Sequence, residues 1–388
     1  MSSIDPHGNR QIIVSLSAIK ISSKGLRGGV IGVAVLLLII SLVMLKWAVG
    51  NVVAVRSEFP EEAEYAISLA PYDPQTHYAA GVLRATAFSP ENSELALKHF
   101  EEAAALSPHD YLIWLELGRV REQNGDAAGA EAALRFAARL APSYSSVQWA
   151  LGNNLLRQGN YDEAFAEIRK AASSDEKYVG PAVGVLWNIL NGSTADIQNA
   201  LAGVPGARYA LIGSLAAAGR EEDAVGLWNS LTEEEKKAEA AAATGRSLLS
   251  SLIKKERFRD AAGVAADLSK QDEAPAIGKV TNGGFEAPLS TKAESVFEWT
   301  LAPGSSPQIS PTNGLKHTGS NSLVFMFGNS GNEFRGISQT VAVEPGKRYV
   351  LEFFYNADLK TRAKIVWKIT AGGNNSLLAA SEPFQAAS

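Results

Sequence analysis

The sequence predicts a multidomain chain that is α-helical and then β: a single transmembrane helix, a solenoid of helical hairpins, and a C-terminal antiparallel β-sandwich. Three observations predict it. Residues 28–45 form an uncharged, mostly apolar run; residue pairs between 108 and 171 recur at a spacing of 34; and beyond residue 275 Ala-rich sequence gives way to short alternating runs among Asn, Gly, Ser and Thr.

The bulk numbers narrow the function classes. The 388 residues suffice for two or three domains, and 46% hydrophobic with 20% charged residues is ordinary globular composition. A net charge of -5, spread along the chain, offers no basic stripe for phosphates and excludes a nucleic-acid partner. The absence of cysteine removes disulfides, thiolate zinc sites, iron–sulfur clusters and a cysteine nucleophile together.

Residues 28–45 read GGVIGVAVLLLIISLVML. As a helix these reach ~27 Å, and with the flank after Lys46 they cover the ~30 Å hydrocarbon layer. Lys46 can snorkel to the interface and Trp47 suits the headgroup belt. The competing readings are a buried core helix and a cleaved signal peptide. Core helices rarely run this far without a polar face. Against a signal peptide stand the 27-residue leader and the lack of a clear small-x-small site. Lys20, Lys24 and Arg27 precede the span, whereas Glu58, Glu61, Glu62 and Glu64 follow it. Residues 1–25 are therefore expected as a cytoplasmic tail, 26–48 as the span, and the rest outside the cytoplasm. Gly25, Gly28, Gly29 and Gly32 set two small-xxx-small spacings, which admit a homodimer through the span.

The repeat follows. Gly118 and Gly152, Ala130 and Ala164, Ala137 and Ala171, Leu117 and Leu151, and Pro108 and Pro142 are each 34 apart. Residues 111–144 carry Trp114, Leu117, Gly118, Ala130, Leu134, Ala137 and Pro142. Residues 145–178 repeat them with Trp149 one place late, then Leu151, Gly152, Tyr161, Ala164, Ile168 and Ala171. An earlier unit, 74–110, has Gly81, Ala96, Phe100, Ala103 and Pro108, with three extra residues at its Ser89-Pro90-Glu91 turn. Small residues let the two helices of a hairpin approach, and larger ones fill the groove to the next hairpin. The pattern resembles tetratricopeptide repeats over 57–270. Weaker units lie around Gly219, Ala224 and Trp228, and around Phe258, Ala261 and Leu268; residues 179–204 stay ambiguous. The resemblance implies a concave, ligand-facing surface on the first helix of each unit. Carried onto this chain it names Tyr78, Leu115, Arg119, Gln123, Trp149, Asn153 and Arg157. Arg119, Asn153 and Arg157 suit a carboxylate or other anion; the plainer reading is a solvated polar helix face.

Residues 276–388 open with NGGFEAP, followed by SLVFMF, ISQTVAV, RYVLEFFY and AKIVWKI, with turn signals at Asn313-Gly314, Gly328-Asn329 and Pro345-Gly346-Lys347. The order of Asn282-Gly-Gly-Phe-Glu286, Trp299, His317-Thr-Gly-Ser-Asn-Ser-Leu323 and Val343-Glu-Pro-Gly-Lys-Arg-Tyr349 resembles jelly-roll carbohydrate-binding-like modules. Such modules usually carry one or two further strands. With Ser388 as the last residue, either an incomplete sandwich or a truncated chain is expected. Sugar binding needs exposed aromatic faces: Phe334 and Tyr355 are the candidates, whereas Trp367 and Trp299 are expected in the core. A structural calcium ion near Glu286 is implied by the resemblance alone.

The five histidines are not paired at metal-ligand spacing, and no Gly-x-Ser-x-Gly, Walker or Gly-x-Gly-x-x-Gly motif occurs. Glu221-Glu222-Asp223 and Glu233-Glu234-Glu235 suit helix N-termini through the dipole. No catalytic residue and no cofactor is expected. The resulting expectation is a non-catalytic scaffold in a bacterial cytoplasmic (inner) membrane, presenting its repeats to protein partners outside the cytoplasm, in the setting of envelope or exopolysaccharide assembly. The alternative is a polysaccharide-binding protein that acts through the C-terminal module, with the repeats as spacer.

Overall fold

The computed structural model describes residues 23–87, 89–269, 274–289, 295–328, 334–358, 364–372 and 375–385, and the short antiparallel pair β1 (Ser3–Ile4) and β2 (Arg10–Gln11). Two compact units, Met1–Glu167 and Ile168–Ser388, are taken in turn.

In the first unit, α1 (Lys24–Arg56) is one unbroken helix of 33 residues. Its apolar part is exposed throughout, and by length and composition it can cross a membrane. Its last turns differ: Gly50 and Ala54 are buried against α2 (Pro60–Leu69). A β-carbon on Gly50 would lie 2.8 Å from that of Ala70 and 3.1 Å from the carbonyl of Ala66. The end of α1 thus packs against α2 as one helix of a hairpin. Ala63, Ala66, Ala79 and Ala80 complete that small-residue core, which lets α1, α2 and α3 (Pro74–Ala85) pack closely.

The next hairpins are α3 with α4 (Pro90–Leu106), α5 (Tyr111–Gln123) with α6 (Ala127–Leu140), and α7 (Ser145–Arg157) with α8 (Tyr161–Ser174). The helices of the first two of these hairpins start where the sequence supplies a cap. Asp73, Ser89, Asp110 and Asp126 accept from backbone N–H groups of the following turn, and Pro74 and Pro90 take the first helical position. Gly125 and Gly159 (φ 81° and 82°) supply the left-handed residue of the turns inside the last two hairpins. Within the hairpins a glycine faces a large residue: a β-carbon on Gly81 would lie 2.9 Å from the Phe100 ring, and one on Gly118 2.6 Å from Leu134 Cγ. The Leu, Gly and Ala residues at 34-residue spacing are buried between helices, whereas Pro108 and Pro142 lie in the exposed turns.

A further device repeats between hairpins. His77 Nε2, Trp114 Nε1 and Gln148 Nε2 lie 3.1, 2.9 and 2.6 Å from the carbonyls of Pro71, Pro108 and Pro142, each six residues earlier. Trp149 is thus not the counterpart of Trp114. Gln148 holds that place, because a side-chain N–H is what the turn requires there.

The second unit continues with helices. A 3₁₀ turn (Glu176–Tyr178) leads to α9 (Val179–Ile189), a short α10 (Thr194–Ala200), α11 (Ala207–Ala217), α12 (Glu221–Asn229), α13 (Glu233–Lys237), α14 (Glu239–Lys254) and α15 (Phe258–Leu268). The ambiguous 179–204 segment is a compressed helix pair, turned at Asn191 and Gly192 with positive φ. Trp228 on α12 is fully buried, and Gly245 on α14 leaves it room. Glu233–Glu235 begin α13 as a capped helix start: Thr232 and Glu235 bond reciprocally.

Among its described residues, the C-terminal region holds three separate two-stranded antiparallel pairs: β3 (Thr300–Leu301) with β6 (Ile337–Ser338), β4 (Gln308–Thr312) with β5 (Ser322–Met326), and β7 (Lys368–Thr370) with β8 (Leu377–Ala380). A full β-sandwich is not formed among the described residues. The expected RYVLEFFY strand has no ladder partner among the described residues and leaves Val350 86% and Phe354 64% exposed. Alternation of apolar residues marks a segment able to pair, but pairing also needs a neighbour. The anchor of this region is aromatic. Trp299 packs against Phe285 and Trp367 and donates to the carbonyl of Asn282, and Phe297 is buried.

Candidate functional site

The candidate surface lies on the first helices α3, α5 and α7. Tyr78 is half-buried, edge-on to Phe100, with Glu116 and Arg119 close enough to act on its hydroxyl. Burial raises the Tyr78 pKa, Glu116 and Asp110 add to the rise, and Arg119 opposes it. Arg119 pairs with Glu116 at 2.6 Å, and Gln123 is exposed at the helix end. On α7, Asn153 donates to the carbonyl of Trp149 at 2.8 Å, and Arg157 pairs with Glu122 at 2.6 Å.

The structure brings Tyr78, Arg119 and Glu116 together and leaves Leu115 out. Leu115 is 2% exposed and packs with Leu134, Ala137 and Val147, so it is a core residue and not a surface contact. Leu115, Arg119 and Gln123 follow one stripe of α5 at i, i+4 and i+8, and Leu115 is the member that α6 and α7 cover. Sequence reasoning missed Glu116 and Glu122, the acids that already hold the two arginines. Both arginines remain partly exposed, and exposed pairs of this kind are worth only ~0–1 kcal/mol. A ligand carboxylate can therefore compete for either guanidinium.

In the C-terminal region Phe334 is 59% exposed, with its ring 6.2 Å from that of Phe327 and nearly parallel to it. Tyr355 is stacked on Phe384 at 4.6 Å, and its hydroxyl accepts from the Gln385 N–H, so one ring face is covered. Glu286 acts as a strap. Its carboxylate accepts from the backbone N–H groups of Ser320 and Asn321 and from Asn321 Nδ2, which occupies both oxygens. This ties the NGGFEAP opening to the His317–Leu323 loop. Among the described residues no group of three or more His, Asp or Glu is arranged to hold a metal ion.

A family model described as tetratricopeptide repeat matches residues 87–145 and 115–178. The helical array contains tetratricopeptide repeats. Solved structures of similar fold include MamA from AMB-1 (21% identity, TM-score 0.27, covering 30% of this chain and 66% of that one), and YrrB, described as a TPR protein with an unusual peptide-binding site (15%, 0.29, 53% and 90%). Another is PilF of Pseudomonas aeruginosa (15%, 0.35, 52% and 95%). The chain spans just under two thirds of two of the MamA structures, 66% and 62%. No curated protein matches the chain.

Proposed function

We propose that this chain is a non-catalytic scaffold that binds protein partners through the repeat face of α3, α5 and α7 while α1 anchors it in a membrane. The supporting observation is the unbroken run of α1 into the first hairpin, which couples a span-length apolar helix to a tetratricopeptide array. The basic residues before the span and the acidic ones after it orient the array away from the cytoplasm. The partner takes up Arg119 and Arg157 with its own carboxylates, around Tyr78, Gln123, Trp149 and Asn153. A photo-crosslinking residue at Gln123 tests this in cells. A protein adduct that disappears with Arg119→Glu supports the reading; the absence of any adduct, or one indifferent to Arg119→Glu, counts against it. A periplasm-restricted reporter fused after residue 270 tests the orientation separately.

A second reading has one observation behind it, the adjacent exposed rings of Phe327 and Phe334. Parallel aromatic faces suit a pyranose ring, and envelope or exopolysaccharide assembly would supply one. Glycan binding that is lost in Phe334→Ala supports this reading, and a folded chain that binds no glycan overturns it.

A further inference from the structure

We propose that the turn Ala70–Asp73, led by Tyr72, is seated in the lipid headgroup layer, so that the array holds the bilayer at a second point beside its helix. The proposal rests on the anchor reading of α1.

Its first support is position. Lys46 closes the apolar run, and Gly50 lies four residues on, about 6 Å along the helix. The headgroup region extends roughly 5–8 Å beyond the hydrocarbon on each side. The turn is level with Gly50 because it is held there twice. Ala70 abuts Gly50, and Asp73 Oδ2 accepts from Asn51 Nδ2 at 2.8 Å. Tyr72 lies between these two tethered residues and is 85% exposed, more than any other tyrosine among the described residues.

The second support is chemistry. A tyrosine combines an apolar ring with a hydroxyl and favours the membrane–water boundary, as does Trp47, which is 48% exposed on α1. Most backbone polar groups of this turn are met within the protein, and Tyr72 leaves its N–H and carbonyl to the hydrated headgroups. The Pro71 carbonyl is met by His77 Nε2, the Ala70 carbonyl accepts from Thr76 Oγ1 and the Asp73 N–H, and Pro71 and Pro74 have no N–H. The one charge, Asp73, is 4% exposed and turned inward to Asn51 and to the Gln75 N–H. The opposite edge of the array is different: its exposed turns carry Glu58, Gln123, Asn124 and Asp126.

The chain has no cysteine, so a single introduced thiol is a unique label site. The full chain carrying Tyr72→Cys, or Asn124→Cys on the opposite edge, is labelled with a fluorophore. Each is then reconstituted into phosphatidylcholine vesicles containing a lipid with a nitroxide on its headgroup. The proposal expects the chain to float with the vesicles, and quenching at position 72 to be severalfold stronger than at 124. Flotation with equal quenching at the two sites overturns the proposal and leaves the anchor standing. A chain that does not float overturns both.

Discussion

The imidazole of His99 on α4 meets the carboxylate of Glu64 on α2 at 3.1 Å, and Arg84 on α3 shares the same oxygen at 3.0 Å. Burial depresses the pKa of His99, and Glu64 only partly offsets this. The folded state therefore binds this proton less readily than the unfolded chain, whose histidine titrates near ~6.5. Stability from this site is present above that value and is lost as pH falls through the unfolded and then the depressed folded pKa. The melting temperature of the array should drop between pH 7.5 and 5.5. His99→Gln, which keeps a donor toward Glu64, should flatten that profile. A profile equally steep in the variant would remove His99 as the cause.

Gly50 offers a test of where the array begins. Gly50→Leu forces α1 away from α2 and should cost about 1–3 kcal/mol as overpacking. Gly28→Leu has open space around it and should cost nothing. Thermal unfolding of both variants in detergent micelles compares them directly. A fragment cut at residue 57 lacks the first helix of the first hairpin and should melt below one cut at 46.

Trp228 should be the most sensitive single position in the second unit. It is fully buried, and its indole donates to Asp267 Oδ2 at 2.8 Å. Truncation to Ala should cost about 3–5 kcal/mol. Trp228→Phe removes the donor, but Asp267 keeps Lys236 at 2.9 Å, so the loss should be clearly smaller. Urea denaturation of the two variants gives the comparison.

Glu286→Gln tests the strap. The amide keeps an oxygen for the Ser320 and Asn321 N–H groups, which both donate to Oε1, but sets an NH2 donor where Oε2 accepts from Asn321 Nδ2, and it loses the charge. The loop should loosen by about 1–3 kcal/mol, seen as faster tryptic cleavage after Lys316. Added calcium should leave the wild-type cleavage rate unchanged.

What could be read from the sequence followed from how strictly each residue type was required. Gly118 and Leu134 announce their contact because only glycine fits beneath that leucine, and the 34-residue spacing fixes the partner. Gly50 does the same job and went unrecognised, since it sits 31 residues before Gly81 in a stretch whose apolar character reads as membrane. Gln148 was hidden for another reason. The turn selects for a donor of sufficient reach, and imidazole, indole and amide all qualify, so no single letter recurs. In the C-terminal region, Trp299 and Trp367 sit together in the aromatic core as expected. The alternation in RYVLEFFY gave a strand's pattern without saying what would lie beside it. At the candidate surface the arginines were legible; Glu116 stands at the i,i+3 spacing that pairs with Arg119, whereas Glu122 meets Arg157 from a different helix, which spacing does not announce.

The continuity of α1 through Lys46 and Gly50 has a mechanical meaning. A glycine-rich linker would let the array swivel freely about the proposed anchor, whereas a helix packed against α2 and α3 transmits torque. Tilting or rotating the span by a given angle turns the first hairpin by that angle. With α1 as the proposed anchor, a partner drawn onto the array would pull on a lever whose other arm lies in the lipid.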